Sequence, residues 1–546
     1  MVISSSQQRT GLKTGRRTPI SLGPPVFLWV PALFVAVAML LAPAYLVIRT
    51  ASAGQDALSL FLRERTALVL VRTVALAISV TAATTAIAIP LAWLTVRTDL
   101  PLRRLWSVLA ILPLVVPSYV GGFVLVAAFG PRGMLQHFLS GPFGIERLPE
   151  IYGFPGALLA LTLFSYPYML LNVRAALAGM DPALEEAARS LGRGPRSTFF
   201  HVTLQHLRPA AASGALLVAL YTLSDFGAVS LLQFDSFTRQ IYVQYQGSFD
   251  RTLAAVFSLV LIALTVTVLF AEGRVRGKLR YYRSGVGTGR PPMIVSLGRW
   301  KWPALCFCGS IVLFSLLLPV AILGFWLVQG LLASIPLQAV WAAALHSALA
   351  SGLAAIITVT MALPVAILAV RYSGRLSSLL ERISYTGFAL PGIVIALSLV
   401  FFGIRFATPF YQTLGMLVFA YMVLFLPQAV GSVRSSVMQI SPRLEEAARS
   451  LGHSPPSVLA RITLPLIRNG LLGGAALVFL TVMKELPATL VLSPIGFDTL
   501  ATEVWNATTE GLFAQAAVPA LLLIAVSSGA IVLLLLQEKR AGKTAP

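Results

Sequence analysis

Two short segments of the sequence place charged side chains inside long apolar runs. Ser224 and Asp225 begin the segment SDFGA, and Lys484 and Glu485 begin the segment KELPA, 260 residues later. Ionisable residues deep in an apolar run usually face the interior of a helix bundle or a water-filled path. We therefore predict that these four residues line a translocation pathway. The alternative is a structural ion pair, either between Lys484 and Glu485 or between neighbouring helices.

The position of these charges within their runs supports a pathway role. Asp225 is expected about 16 residues into its run and Glu485 about 15, roughly 22–24 Å from the cytoplasmic end at about 1.5 Å per helical residue. Gly227 and Pro487 follow closely in the sequence. Both residues are expected to break their helices, and broken helices are typical of substrate sites in transporters.

The other reactive residues form no catalytic or metal-binding pattern. The five His residues show no ligand spacing, and Cys306 and Cys308 share one apolar run, where they are expected to pack. The Gly-Lys-Thr triplet at 542–544 lacks the first glycine of a phosphate-binding loop, and GVGTG at 285–289 has no strand or helix frame and is expected to be a flexible linker. The chain is therefore expected to be no enzyme and to hold no cofactor or metal. Energy for transport must come from a partner or from an ion gradient.

A second pair of segments lies between the apolar runs. The segments 181–208 and 441–468 share the block LEEAARSLG without a change. Each starts with an N-cap residue followed by proline, and Gly192 and Gly452 supply left-handed C-caps. The pattern predicts a short amphipathic helix, a tight turn and a second helix, presented outside the membrane. An ordinary duplicated loop is one alternative; a DNA-reading helix-turn-helix is another, which the flanking apolar runs argue against.

The composition is that of a membrane protein. The chain is 57% hydrophobic and 11% charged, with a net charge of +21. This positive charge is assigned to loops near anionic lipid of the bilayer rather than to nucleic acid. The apolar runs predict twelve spans, at 26–48, 68–96, 105–128, 151–173, 209–233, 252–271, 302–328, 341–370, 383–403, 414–433, 470–493 and 513–537.

Basic residues set the expected orientation of these spans. With the N-terminus in the cytoplasm, the inside segments hold 31 of the 41 Lys and Arg residues, and the outside segments with the adjoining span ends hold 9. The remaining residue is Lys484, within a span. A shift of one span between the halves would put one hairpin outside and remove this asymmetry. We therefore expect both termini and both hairpins in the cytoplasm.

The duplication extends through the spans. Pro90 and Pro364 match at an offset of 274, as do Arg97 and Arg371. Six spans per half give both halves the same orientation, which makes them parallel repeats. The predicted fold is an all-α polytopic membrane protein with two parallel six-helix repeats. Its predicted parts are a cytoplasmic tail (1–25), a first transmembrane half (26–271), a basic linker (272–301), a second transmembrane half (302–538) and a cytoplasmic tail (539–546).

The hairpins also resemble a known family element. The pattern E-A-A, followed four residues later by G, resembles the coupling loop of the permease subunits of bacterial ABC importers, and two copies in one chain resemble a fused permease. In that family the loop docks into a groove on a separate ATPase. The resemblance implies coupling to an ATPase through Glu185, Glu186, Ala187, Gly192, Glu445, Glu446, Ala447 and Gly452.

Longer stretches narrow the resemblance. The segments 224–251 and 483–511 resemble those of fused iron(III) importer permeases, although related fused permeases for thiamine and other solutes share the architecture. The resemblance implies an inner (cytoplasmic) membrane protein whose partners are a homodimeric cytoplasmic ATPase, which binds the ATP, and a periplasmic ferric-ion-binding protein. The alternative from another class is a secondary transporter driven by an ion gradient. A requirement for ATP and for a co-expressed ATPase would distinguish the two.

Overall fold

A computed structural model describes residues 25–543, apart from 53, 55–58, 60, 62, 132, 145–148, 248–251, 278–293, 335, 337 and 373. The predicted tail 1–25, except for its last residue, and the GVGTG segment lie outside the described residues. In lipid, backbone N–H and C=O groups must be bonded within their own segment, so apolar runs of this length fold as helices. The described residues are helical, with an isolated bridge between Thr98 and Val295, and the all-α prediction is confirmed.

The first half is built from helices joined by short turns. Its helices are α1 Val26–Ser52, α2 Glu64–Arg97, α3 Arg103–Leu109, α4 Ser118–Phe129, α5 Met134–Phe143, α6 Phe154–Gly179, α7 Pro182–Ser190, α8 Phe199–Ser224, α9 Gly227–Leu231, α10 Phe237–Gly247 and α11 Thr252–Gly277. A short helix, Pro195–Thr198, leads directly into α8, whose first turn, Phe199–Thr203, is a π-turn.

The second half repeats this order, except that a short 3-10 helix, Thr408–Phe410, stands where the first half has α5. Its helices are α12 Gly298–Leu332, α13 Gln338–Arg371, α14 Arg375–Ser384, α15 Gly392–Phe406, α16 Leu414–Gln439, α17 Pro442–Ser450, α18 Pro455–Met483, α19 Pro487–Leu492, α20 Leu500–Thr509 and α21 Phe513–Lys543. A π-turn, Leu459–Thr463, lies in α18 at the position equivalent to that in α8. Equivalent helices have equal lengths: α2 and α13 have 34 residues each, and α6 and α16 have 26 each. The predicted duplication is therefore confirmed.

Two predicted spans are wrong as single straight helices. The span predicted at 105–128 is a pair of segments bent by 96°, and the span at 383–403 is a pair bent by 106°. Pro117 and Pro391 lie at these bends, where a proline has no N–H with which to continue the helix. Within the described residues, nine helices are long and apolar enough to cross a membrane, or eleven if each bent pair is one span.

Two further spans end earlier than predicted. The spans predicted at 209–233 and 470–493 start within α8 and α18, but these helices end at Ser224 and Met483. The breaks expected near Gly227 and Pro487 are thus present. The last predicted span, 513–537, coincides with α21, whose described apolar part is Phe513–Gly529.

The first helix of each half packs against the other half. Along α1, buried residues from Leu28 to Leu46 share a core with α13, α15 and α16 of the second half and with α11. Along α12, Ala304 and Cys308 join the core of the first half, and Tyr166 lies 3.4 Å from Ser315 between their hydroxyl oxygens. The two halves are therefore interlocked.

The end of the predicted linker also contacts the first half. The Val295 amide donates to the Arg97 carbonyl (2.8 Å), and the Asp99 carboxylate accepts from the Leu297 amide (2.8 Å) and pairs with the Lys301 ammonium (2.9 Å). The Leu297 amide, followed by the Lys301 ammonium, lowers the pKa of Asp99 below its ordinary value. Because α11 continues to Gly277 and α12 starts at Gly298, both helices extend into the segment 272–301.

Candidate functional site

Each hairpin consists of a nine-residue helix and a tight glycine turn. In the first hairpin the Asp181 side chain accepts a hydrogen bond from the Ala183 amide (3.0 Å), which caps α7 as predicted. Gly192 has φ +83°, and the amide of Arg193 bonds to the carbonyl of Ala188, which closes a Schellman motif. Gly452 repeats this geometry with φ +88°. Glycine suits both positions because L-residues adopt this backbone conformation only with strain.

The short helices α7 and α17 have two different faces. Leu184 is 42% exposed and Leu191 is 84% exposed, while Leu444 and Leu451 at the equivalent positions are 51% and 81% exposed. Glu186 and Ala187 lie on the same outward face. Each hairpin therefore presents leucine side chains, flanked by an acidic residue, to its surroundings.

The inward face of the first hairpin is held by a buried arginine. Glu185 is 5% exposed and lies against Arg97, the last residue of α2, with 3.7 Å between Oε2 and Nη1. The Glu185 carboxylate also accepts a hydrogen bond from the Thr203 hydroxyl in the π-turn (2.7 Å). Arg97 in turn donates to the carbonyls of Leu177 and Met180 at the end of α6. Glu185 thus contacts the end of α2 and the π-turn directly, and Arg97 connects it to the end of α6.

The second hairpin uses the same arrangement. Arg371 Nε donates to Glu445 Oε1 at 3.2 Å, and the Thr463 hydroxyl donates to the same carboxylate. Arg371 also donates to the carbonyls of Val437 and Ile440 at the end of α16. We call these two arrangements, Arg97–Glu185–Thr203 and Arg371–Glu445–Thr463, the hairpin anchors.

The predicted coupling residues therefore separate into two groups. Glu185 and Glu445 face inward and belong to the hairpin anchors. The others lie on the outward face or in the exposed turn, where a partner can reach them: Glu186, Ala187, Gly192, Glu446, Ala447 and Gly452. The anchors connect each hairpin to the membrane helices α2 and α6, or α13 and α16.

In the first half the predicted pathway carboxylate lies at the break between α8 and α9. Asp225 has an extended backbone and is 7% exposed, directly after Ser224, which is half-buried. Its Oδ1 accepts from the amides of Ala228 (3.1 Å) and Val229 (3.3 Å). The carboxylate thus caps the N-terminus of α9, where the helix dipole favours a negative charge.

Glu485 occupies the equivalent break between α18 and α19. Its oxygens accept from the Ala488 amide (3.0 Å) and the Thr489 amide (3.1 Å), and the Thr489 hydroxyl also donates to Oε2 (3.0 Å). A Cβ atom added at Gly392 would lie 2.7 Å from Glu485 Oε1, so the start of α15 approaches this carboxylate closely. Each carboxylate therefore has a structural capping role in addition to any role in transport.

Lys484 points to the other half of the molecule. Its Nζ donates to the carbonyl of Leu114, in the turn before the first bend, at 3.3 Å. Among the ion pairs of the described residues, none joins Lys484 to Glu485, so the suggested pair between these neighbours does not form. The lysine instead links the two halves at the depth of the broken helices.

Apolar side chains of the two halves pack against each other beside the broken helices, at a boundary that we call the seam. Phe226, beside Asp225, packs on Trp505 of the second half with 5.1 Å between the ring centroids. Tyr119, Phe226 and Leu486 belong to one buried apolar cluster that spans the seam. A cavity of about 1110 Å³ lies between α2, α8 and α11 and is lined mainly by apolar side chains. The boundary between the halves is therefore packed with apolar side chains beside the broken helices.

Sequence reasoning missed the role of two buried arginines in the hairpin anchors. Arg97 and Arg371 were recognised only as repeat markers, although an arginine kept at the end of equivalent spans could have indicated a buried partner.

Geometry and repeats define a class of protein: a two-repeat, multi-pass membrane protein with one exposed hairpin per repeat. The sequence matches the family described as binding-protein-dependent transport system inner membrane component over residues 84–281 and 359–543. The chain belongs to this family and is a fused, two-repeat permease of the inner membrane.

Bacterial transport permeases resemble this chain, two of them over most of its length. The Fe(3+)-transport system permease protein FbpB 2 of Haemophilus influenzae is 36% identical over 94% of this chain and 98% of its own length. The ferric transport system permease protein FbpB of Actinobacillus pleuropneumoniae is 26% identical over 77% of this chain and 64% of its own. The molybdenum transport system permease protein ModB of Escherichia coli is 39% identical, over 25% of this chain and 58% of its own.

Proposed function

We propose that this permease imports ferric iron, delivered by a periplasmic binding protein, and that a separate cytoplasmic ATPase dimer drives it. The chain itself would need no cofactor, because ATP would be bound by the partner. Both termini and both hairpins would face the cytoplasm, as the distribution of basic residues indicates. The observation that carries the proposal is the pair of equivalent hairpins, each with an exposed leucine face and a buried anchor.

The hairpins suit a symmetric partner. Two equivalent surfaces in one chain match a homodimer, which offers the same groove twice. Leu191 and Leu451 are the most exposed leucines of these surfaces, and exposed apolar side chains of this kind mark interaction sites. We therefore assign the contact with the ATPase to the outward residues, among them Glu186 and Glu446.

Ferric iron is favoured over other solutes by the names of the relatives that match over most of the chain. The molybdenum relative matches only a quarter of it. Carboxylates at Asp225 and Glu485 also suit a hard cation, which prefers oxygen ligands.

Reconstitution tests this proposal directly. Proteoliposomes containing the permease, its ATPase and its binding protein should take up radiolabelled iron only when ATP is present on the ATPase side. Thiamine uptake under the same conditions would point to the alternative substrate class. Iron uptake that persists without the ATPase and follows an ion gradient would contradict the proposal and favour a secondary transporter.

The pathway residues are tested by neutralisation. Asp225→Asn combined with Glu485→Gln keeps a carbonyl oxygen that can cap α9 and α19 but removes both negative charges. We expect this variant to insert, bind its ATPase and hydrolyse ATP, yet to transport poorly. Normal uptake would reject a pathway role, and joint loss of expression and ATPase activity would assign the carboxylates a purely structural one.

A further inference from the structure

The apolar cavity between α2, α8 and α11 opens on the surface of the first half. All three helices are long and apolar enough to cross a membrane, so the cavity lies at membrane depth. Of its lining residues, Ile78 is 65% exposed and Phe200 is 60% exposed, so it is an open groove rather than an enclosed void. We call it the lateral groove. Its small lining side chains on α2 and α8 include Ala77, Ala82, Ala86, Ala212, Ala215 and Ala219.

The lining of the lateral groove suits an apolar occupant. Its side-chain hydroxyls are those of Thr81 and Thr85. Both donate within their own helix, Thr81 to the carbonyl of Ala77 (2.7 Å) and Thr85 to that of Thr81 (2.6 Å). The lining side chains therefore leave no hydroxyl proton for a polar solute. Atoms that line an unfilled apolar groove lose their dispersion contacts on one side, and an apolar occupant restores these contacts.

A charged side chain lies at the hairpin end of the lateral groove. Arg208 stands four residues after Leu204 and four before Ala212, which both line the groove, so all three share one face of α8. Arg208 is exposed and belongs to none of the ion pairs of the described residues. From Arg208 to Leu223, further along this lining face, the helix rises about 22 Å, which exceeds the roughly 15 Å depth of hydrocarbon in one leaflet.

We propose that the lateral groove binds an anionic phospholipid, with an acyl chain along α2 and α8 and the phosphate at Arg208. A guanidinium matches a phosphate in charge and in hydrogen-bond geometry. Anionic lipid is also characteristic of the cytoplasmic leaflet, where the hairpins are proposed to lie. The lipid would brace the two helices that supply Arg97 and Thr203 to the first hairpin anchor. Its binding does not depend on which substrate is transported.

The second half supplies a matched control. Arg468 is equivalent to Arg208 and is also exposed. However, Phe479 stands where the first half has Ala219, and it packs against the buried core of the second half. The large ring occupies space that the alanine leaves open. We therefore expect the lipid at Arg208 and not at Arg468.

Native mass spectrometry of the full-length permease tests the site. The protein would be released from nanodiscs that contain equal amounts of phosphatidylglycerol and phosphatidylcholine. We expect the wild type to retain phosphatidylglycerol at least fivefold over phosphatidylcholine. Arg208→Gln should remove this preference, whereas Arg468→Gln should keep it. Ala219→Phe, which fills the groove as Phe479 does in the second half, should lower lipid retention at least fivefold.

Four results would overturn the proposal. They are equal retention of the two lipids by the wild type, an unchanged preference in Arg208→Gln, an equal loss of preference in Arg468→Gln, and a second protein chain retained at the groove in place of lipid. Thermal unfolding shows whether Ala219→Phe remains folded. If it does not, the two arginine variants decide the outcome, because replacing an exposed side chain changes stability little.

Discussion

Replacing Glu185 by glutamine tests how the first hairpin is held against the membrane helices. The glutamine oxygen can still accept from Thr203, so this hydrogen bond is kept. The opposite charge near Arg97 is lost, and the guanidinium remains 1% exposed with only backbone carbonyls as partners. Breaking a buried ion pair by removing one partner costs about 3–5 kcal/mol.

The lower end of this range applies here, because the ions are 3.7 Å apart and Arg97 keeps two carbonyl acceptors. A loss of about 3 kcal/mol raises the population of the detached hairpin roughly a hundredfold, since about 1.4 kcal/mol is a factor of ten. Hydrogen–deuterium exchange of the 183–193 amides, measured in nanodiscs, reports this opening directly.

The neighbouring residue supplies the matched control. Glu186→Gln changes an exposed carboxylate on the same helix and should leave hairpin exchange within about 0.5 kcal/mol of wild type. It should instead weaken binding of the ATPase. A paired replacement, Arg97→Met with Glu185→Leu, removes both charges and should recover most of the lost protection. Equal exchange in Glu185→Gln and Glu186→Gln would refute the anchoring role of Glu185.

Three further predictions concern the turn, the linker and its docking. Gly192→Val with Gly452→Val should insert normally but lose the ATPase in a pull-down, because a β-branched residue strains the left-handed turn; retained binding and uptake would contradict docking through the hairpins. A chain cut near residue 287 and co-expressed as two halves should co-purify, since α1 and α12 each pack on the other half; stably inserted halves that stay apart would show that the linker is needed. Asp99→Asn should speed tryptic cleavage at Lys301 at neutral pH, and unchanged cleavage would show that the pair does not hold this segment. Because the pKa of Asp99 is lowered, its stabilising contribution is present above the ordinary value of 3.8 and is lost as the pH falls through the lower value of the folded chain.

The parts of the fold that local sequence determines were predictable. The first hairpin follows from a cap, a proline and a glycine within twelve residues, each of which acts through its immediate neighbours. The second hairpin follows from its proline and glycine alone, because the predicted cap Ser441 makes no side-chain capping hydrogen bond. The breaks near Asp225 and Glu485 follow equally from Gly227 and Pro487. Repetition of both patterns at one offset made the two halves visible.

Contacts between distant segments were not predictable in the same way. Glu185 stands four residues before Arg189, a spacing that is typical of an ion pair on a helix surface. Its carboxylate nevertheless turns inward to Arg97, because the π-turn and the end of α2 meet there. Hydropathy also showed no difference between a straight span and the bent pair at Pro117, since both are apolar throughout. Such features depend on which helices become neighbours, and a single sequence does not state this.

Because the first helix of each half packs on the other half, the order of synthesis limits the order of folding. At about 5–20 residues per second, α1 is made on the order of tens of seconds before its packing partners α13 and α15. During this interval its buried surface, from Leu28 to Leu46, must be covered by lipid or by the insertion machinery. The first half therefore finishes folding only after the second has been translated. A ribosome that stops at the linker would leave both an unpaired α1 and an open surface where α12 belongs.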